Sequence, residues 1–369
     1  MSTPTPGHVL MTTDAVGGVW HYACDLAAEL ARAGTRVTLA VLGPAPGAAQ
    51  RGCLHDAAEI TLVETGLPLD WLCADAPAAA ASAQVLAEIA RACGAELVHC
   101  NSPALAGAAR FPVPVVAVAH GCIATWWEAA KPGAPLDPAL RWHAEMMRRG
   151  LLAADAVVAP SVSFAATLQA TYRLPRLPLV VHNGRPPAAP DLGAQRLNAA
   201  LCAGRMWDPV KNAAVLDAAA SLTDITVLAA GPTRGPNGEE ARFAHAVALG
   251  ELPGPDLADL LALQPIVVSP ATFEPFGLAV LEAAAAGCAL ILSDIATFRE
   301  LWDGAAVFVD PADPAALAAA IAEVHADPDR REALGAAARA RSARFTPAAT
   351  AEGMAAIYRS LVTRKEVAA

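Results

Sequence analysis

The chain is poor in charge, with only 17% of its 369 residues being Asp, Glu, Lys or Arg. Basic residues are the scarcer sign, 26 against 36 acidic ones, for a formal net charge of −10. That deficit argues against a nucleic-acid partner, because affinity for a phosphate backbone comes from clustered Lys and Arg. The long uncharged run of a membrane span is also missing: Phe111 to Trp127 falls just short of the ~18 residues required and is interrupted by Pro112, Pro114 and His120. It reads as a buried strand running into a loop. Met1 to Pro6 show no basic stretch ahead of an apolar one, so no secretory signal is expected and a cytoplasmic location is the default. Eight cysteines include no C-x-x-C pair, which removes the usual zinc and thioredoxin-like signatures and leaves reduced, mostly buried thiols as the expectation.

Two nucleotide-binding signatures are absent as well. No G-x-G-x-x-G follows the first apolar run and no G-x-x-x-x-G-K-[ST] occurs, so a dehydrogenase or a P-loop enzyme has little support. Asp327-Pro328-Asp329 matches a metal-binding D-x-D only superficially; directly before Arg330-Arg331-Glu332, Asp327 reads as a helix cap. Neither a metal nor a resident cofactor is expected.

What the chain does have is apolar material, 55% of its residues, which is enough for two domains with separate cores. Short β-type runs alternate with Ala-rich helical stretches, the signature of an α/β protein with parallel sheets. The first half offers strands at 8–12, 36–42, 59–63, 96–99, 113–119 and 156–159, and the second at 201–203, 225–229, 265–269, 289–292 and 306–309. A Pro-dense stretch after Asn183-Gly184 reads as a linker. The expected organisation is therefore a Rossmann-like domain over 1–180, a linker over 181–198, a second Rossmann-like domain over 199–345, and a C-terminal helix over 346–369. In that helix Met354, Ile357, Tyr358, Leu361 and Val362 form an amphipathic stripe that needs a surface to cover.

The most informative string is Ser269-Pro270-Ala271-Thr272-Phe273-Glu274-Pro275-Phe276-Gly277-Leu278, followed by a helix that carries Glu282. Gly277 permits close backbone approach, and the N–H groups at the helix start suit an anion such as a diphosphate. Glu282, about a turn deeper, is placed to accept hydrogen bonds from a ribose. In the second string, Gly204-Arg205 through Lys211-Asn212, a strand leads into a loop with two cations, suited to the phosphate oxygens of a leaving group. In the first half, Gly17-Gly18 after the first strand and His120 after a central strand lie where open α/β sheets bind ligands.

Together these strings resemble the GT-B glycosyltransferases, specifically family 4, the retaining enzymes that use nucleotide-activated sugars. The resemblance rests on Glu274 and Glu282 at E-x7-E spacing with Phe276-Gly277 between them, and on Gly204-Arg205 with Lys211; the Asn183-Gly184 hinge, Gly17-Gly18 and His120 add to it. It implies an α/β fold of two Rossmann-like domains facing each other across a cleft, with donor binding mainly by the second half and acceptor binding by the first. Arg205 and Lys211 would hold the diphosphate, and Phe276, Gly277 and Leu278 would supply backbone amides. Glu282 would bind the ribose, Glu274 would face the reacting carbon, and His120 would contact the sugar. The tail helix would return to the first domain. The partners implied are a nucleoside diphosphate sugar and a hydroxyl acceptor, and a lipid-linked acceptor would bring the protein to the inner face of the membrane. One departure concerns the acceptor side: His120 is followed by Gly121-Cys122, where many members have His-Asp. Trp126 and Trp127 just beyond are candidate stacking surfaces for an acceptor. A sugar-nucleotide epimerase, a glycosyl phosphorylase or a sugar-nucleotide-binding protein without turnover on the same architecture are the alternatives.

Overall fold

A computed structural model describes residues 5–52, 58–188, 196–236 and 238–368. The chain divides into two units: Met1–Gly184 with Pro347–Ala369, and Arg185–Thr346. Residues 189–195 of the stretch read as a linker lie outside the described residues, as does Cys53.

The first unit carries β1 (His8–Asp14), β2 (Arg36–Leu42), β3 (Ile60–Glu64), β4 (Leu97–Cys100), β5 (Val115–Val118), β6 (Ala156–Ala159) and β7 (Leu179–Val180). They form one sheet in the order β3-β2-β1-β4-β5-β6-β7, every neighbouring pair parallel. Strand β5 starts later than the apolar run suggests, because Pro114 lacks the N–H that a ladder needs. The two-residue β7 was hidden in the approach to the Pro-rich stretch, being too short for a strand pattern to emerge. The C-terminal helix Pro347–Ala368 packs on this unit, with Ala351, Met354, Tyr358 and Leu361 in one core with Val9, Met11, Tyr22 and Leu97. Met354 and Tyr358 are fully buried, and each such side chain contributes roughly 1.5–3 kcal/mol.

The second unit contains β8 (Ala200–Ala203), β9 (Val227–Ala230), β10 (Val247–Gly250), β11 (Ile266–Ser269), β12 (Leu290–Ser293) and β13 (Val307–Val309), in the order β10-β9-β8-β11-β12-β13, again all parallel. Its strands are almost uniformly apolar because helices cover both faces. Alternate residues accordingly feed two cores: Leu201, Val267, Leu290 and Leu292 enter one, and Ala200, Cys202, Ile266, Val268 and Ile291 the other. Strand β10 was not read from the sequence, since Val247 and Ala248 are exposed at the sheet edge and show no burial pattern.

None of the seven described cysteines is in a disulfide, and five of them are buried. Burial pushes the Cys100, Cys202 and Cys288 thiols up to about 12, so they stay protonated. Among the described residues, no helix is long and apolar enough to cross a membrane.

Candidate functional site

Both strand orders reverse at a central pair, and that fixes where ligands go. In the second unit β8 has β9 on one side and β11 on the other, so the connections leaving β8 and β11 diverge and open a crevice at their carboxyl ends. The loop after β8 holds Arg205 and Lys211, and the loop after β11 holds Glu274, Phe276, Gly277 and Leu278.

These two loops are tied together. Asn212 adopts a left-handed backbone conformation, φ 60° and ψ 44°, and its amide donates to the carbonyls of Pro270 at 3.0 Å and Pro311 at 2.7 Å. The Thr272 N–H donates to the Val210 carbonyl at 2.9 Å. Asp208, 1% exposed, accepts from the Val210 N–H at 3.3 Å with one oxygen and binds Arg205 at 3.0 Å with the other, which aims the guanidinium. The loop ends rest on Gly231, where a Cβ would stand 1.7 Å from the Gly204 carbonyl oxygen; only glycine fits there.

Lys211 and Glu274 form an ion pair across the crevice, both largely buried. The structure thus brings the cation read as a phosphate ligand into contact with the carboxylate read as facing the reacting carbon. Phe276 is buried against Phe345, ring centroids 5.6 Å apart, so its side chain anchors the loop and only its backbone is available to a ligand. Gly277, at φ 91°, turns the chain into the helix Leu278–Ala285, whose first-turn N–H groups have no intrahelical carbonyl to meet. Glu282 on that helix is paired with Arg185, Nε to Oε1 at 2.7 Å. Arg185 was read as linker, and its Pro-rich surroundings concealed it; Asp208 was missed too, although Asp208-Pro209 is a cap signature and does cap a short turn. Asp327 caps the helix Pro328–Ser342 by accepting from the Arg330 N–H at 2.9 Å. Among the described residues, no group of three or more His, Cys, Asp or Glu could hold a metal ion.

In the first unit the reversal lies between β1 and β4. Gly17 precedes the helix Gly18–Arg32 in extended conformation, with open space where a Cβ would stand. His120 follows β5 and is half-buried, its Nε2 2.8 Å from Asn101 Oδ1 and its ring edge-on to Tyr22 at 4.4 Å. Asn101, just past β4, also meets His99 Nε2 at 2.9 Å, and the hydroxyl of Tyr358 lies 2.5 Å from His99 Nδ1. Burial lowers the His99 pKa to about 4, and burial together with the neighbouring His99 lowers that of His120 to about 3, so both rings are neutral at neutral pH. No sequence signal points to Asn101 or His99, and Tyr358 stands out there only as part of the apolar stripe of the C-terminal helix. Trp126 and Trp127 sit on the helix Ile123–Ala130; the Lys131 ammonium covers one face of Trp127, 3.9 Å from its centroid, and Trp127 Nε1 donates to the Ala134 carbonyl at 3.3 Å.

The family models agree with this division. Residues 16–188 match Glycosyltransferase Family 4 and residues 239–341 match Glycosyl transferases group 1. Among curated proteins the chain is similar to D-inositol 3-phosphate glycosyltransferases, 37% identical over 114 residues to that of Thermobispora bispora and 32% over 131 residues to that of Corynebacterium urealyticum. Those segments are 30% and 35% of this chain and only 27% and 31% of the relatives' own lengths. Among solved structures, sucrose-phosphate synthase from Thermosynechococcus elongatus superposes with a TM-score of 0.81 at 20% identity, covering 97% of this chain and 99% of that one. HepE of Anabaena in complex with UDP-glucose superposes with 0.72 at 20% identity, covering 96% of this chain and all of that one. With two parallel α/β units, each opening a crevice where its strand order reverses, the chain belongs to the family 4-type glycosyltransferases of GT-B fold.

Proposed function

We propose that the protein transfers a hexose-type sugar, with retention, from a nucleoside diphosphate donor to a hydroxyl acceptor on a glycan, a lipid-linked sugar or a small polyol, without a metal ion. The observation that carries this reading is the Lys211–Glu274 pair at the β8/β11 crevice, with Arg205 beside it. As the bond between sugar and phosphate breaks, negative charge grows on the departing diphosphate and positive charge on the sugar carbon. Lys211 and Arg205 offset the first, in place of a metal, and Glu274 the second; fixed charges already in place act without reorganisation at the moment of reaction. The amides of Gly277 and Leu278 add dipoles that favour the diphosphate. Glu282 keeps Oε2 for the ribose while Arg185 holds Oε1. In the first unit, Gly17-Gly18 lets the donor approach the backbone, and His120 and the Trp126–Trp127 helix serve the sugar and acceptor side.

A thermal-shift screen of UDP-, GDP- and ADP-sugars in excess EDTA tests the donor, since a ligand of the folded state raises the melting temperature by mass action. UDP-glucose comes first in the screen because it occupies the HepE structure, and D-inositol 3-phosphate heads the acceptor panel because it is in the relatives' name. Stabilisation by a nucleoside diphosphate sugar and transfer to an acceptor in EDTA are expected. Activity abolished by EDTA and restored by manganese would overturn the metal-free part, and isomerisation of the donor with no acceptor would replace transferase by epimerase.

A further inference from the structure

The hydrogen bonds around Asn101 settle where its neighbours' protons lie. A backbone carbonyl only accepts, so the 2.7 Å contact to the Thr12 carbonyl identifies the Asn101 Nδ2 group as donor and leaves Oδ1 as a pure acceptor. The Asn101 N–H, bonded to Thr12 Oγ1 at 2.8 Å, holds the residue against β1 from a second point. Two imidazole nitrogens converge on that one oxygen, His99 Nε2 at 2.9 Å and His120 Nε2 at 2.8 Å, and both must donate. A neutral ring with its proton on Nε2 has a bare Nδ1. For His99 the bare Nδ1 accepts from the Tyr358 hydroxyl at 2.5 Å. For His120, among the described residues, no group meets Nδ1.

We propose that Asn101 is a positioning residue that locks His120 as its Nε2–H tautomer, so that Nδ1 presents a lone pair to a substrate hydroxyl and accepts its hydrogen. The inference rests on the reading that His120 meets the substrate, and it specifies the ligand chemistry: a neutral hydroxyl donor and not an anion, which a lone pair repels. Tyr358 and His99 support the lock from behind, which ties the C-terminal helix to the β4 edge.

The test is a long-range proton–nitrogen correlation spectrum of the full chain, 15N-labelled at histidine, at neutral pH. For wild type we expect His120 with a protonated Nε2 and a bare Nδ1; a bare Nε2, or an imidazolium, would overturn the proposal. In Asn101→Ala the lock is gone, and a mixture of tautomers is expected together with a fall in kcat/KM for transfer of about tenfold or more, while affinity for the nucleoside diphosphate alone changes less than about twofold. Should that variant fail to fold, the near-isosteric Asn101→Asp serves: its carboxylate draws a proton onto Nδ1, so the imidazolium signature at neutral pH and the same fall in kcat/KM are expected. An unchanged His120 tautomer in whichever of the two variants folds contradicts the assigned role. A wild-type spectrum as expected, combined with undiminished transfer by His120→Ala, keeps the tautomer but removes His120 from the substrate, so the two readings fail separately.

Discussion

The two units share one topological device and fill it with opposite chemistry. At the β8/β11 edge the groups are charged and paired: Lys211 with Glu274, Arg205 with Asp208, Arg185 with Glu282. At the β1/β4 edge the cluster of Thr12, His99, Asn101, His120 and Tyr358 is neutral, and burial holds the two histidines unprotonated. A crevice that must take up a diphosphate needs cations held in place before the anion arrives. One that meets only hydroxyls does better without net charge, because an unpaired buried charge costs several kcal/mol. The fold supplies position in both cases, and the side chains make one edge charged and the other neutral.

That contrast can be broken from either side. The largest effect is expected on removing residues 347–369, which takes Met354 and Tyr358 from the first unit's core at a cost of roughly 3–6 kcal/mol for the pair. A melting curve should show the loss, and an unchanged melting temperature would mean that the helix is dispensable. Next comes Lys211→Ala, which deletes the cation proposed to meet the leaving group and leaves Glu274 without that partner. Turnover should fall by ~100- to 1,000-fold, about 2.7–4 kcal/mol. If Glu282 binds the ribose as proposed, Glu282→Ala should be milder, weakening donor binding about tenfold, ~1.4 kcal/mol, with little change in single-turnover rate, because such a contact is shared by ground and transition states. The most gradual effect, spread over more than two pH units, is on acid stability. His99 titrates near 6.5 in an unfolded chain and at about 4 in the folded one, so the unfolded state binds more protons between those values. Its stabilising contribution is complete above about pH 6.5 and declines as the pH falls towards 4, by at most ~1.4 kcal/mol per pH unit. A chemical-denaturation series across that range should show the slope in wild type and lose only the His99 share of it in His99→Gln, because His120, lowered to about 3, contributes a slope of its own over the same range.

The fold was readable because both halves obey strong local rules. Apolar runs in register with Ala-rich helices gave eleven of the strands, and the two that escaped, β7 and β10, are a two-residue pair and an exposed edge. The charged crevice was readable because its residues lie in two short strings, each leaving a central strand. What the sequence concealed is partnership over long separations: Tyr358 with His99, Arg185 with Glu282, and the Asn101 bond to Thr12 join residues that no local pattern connects. Thr12 and Asn101 each sit at the carboxyl end of a strand, yet only the parallel pairing of β1 with β4 reveals that those ends are adjacent.

The measurement that bears most directly on the charged crevice is donor titration combined with single-turnover transfer by Glu274→Gln, which keeps the shape and removes the charge. If Glu274 faces positive charge that develops only in the transition state, the variant should bind the nucleotide sugar within about tenfold of wild type while transferring at least ~100-fold more slowly. Transfer at the wild-type rate would contradict the account, because the carboxylate beside Lys211 would then take no part in the chemistry.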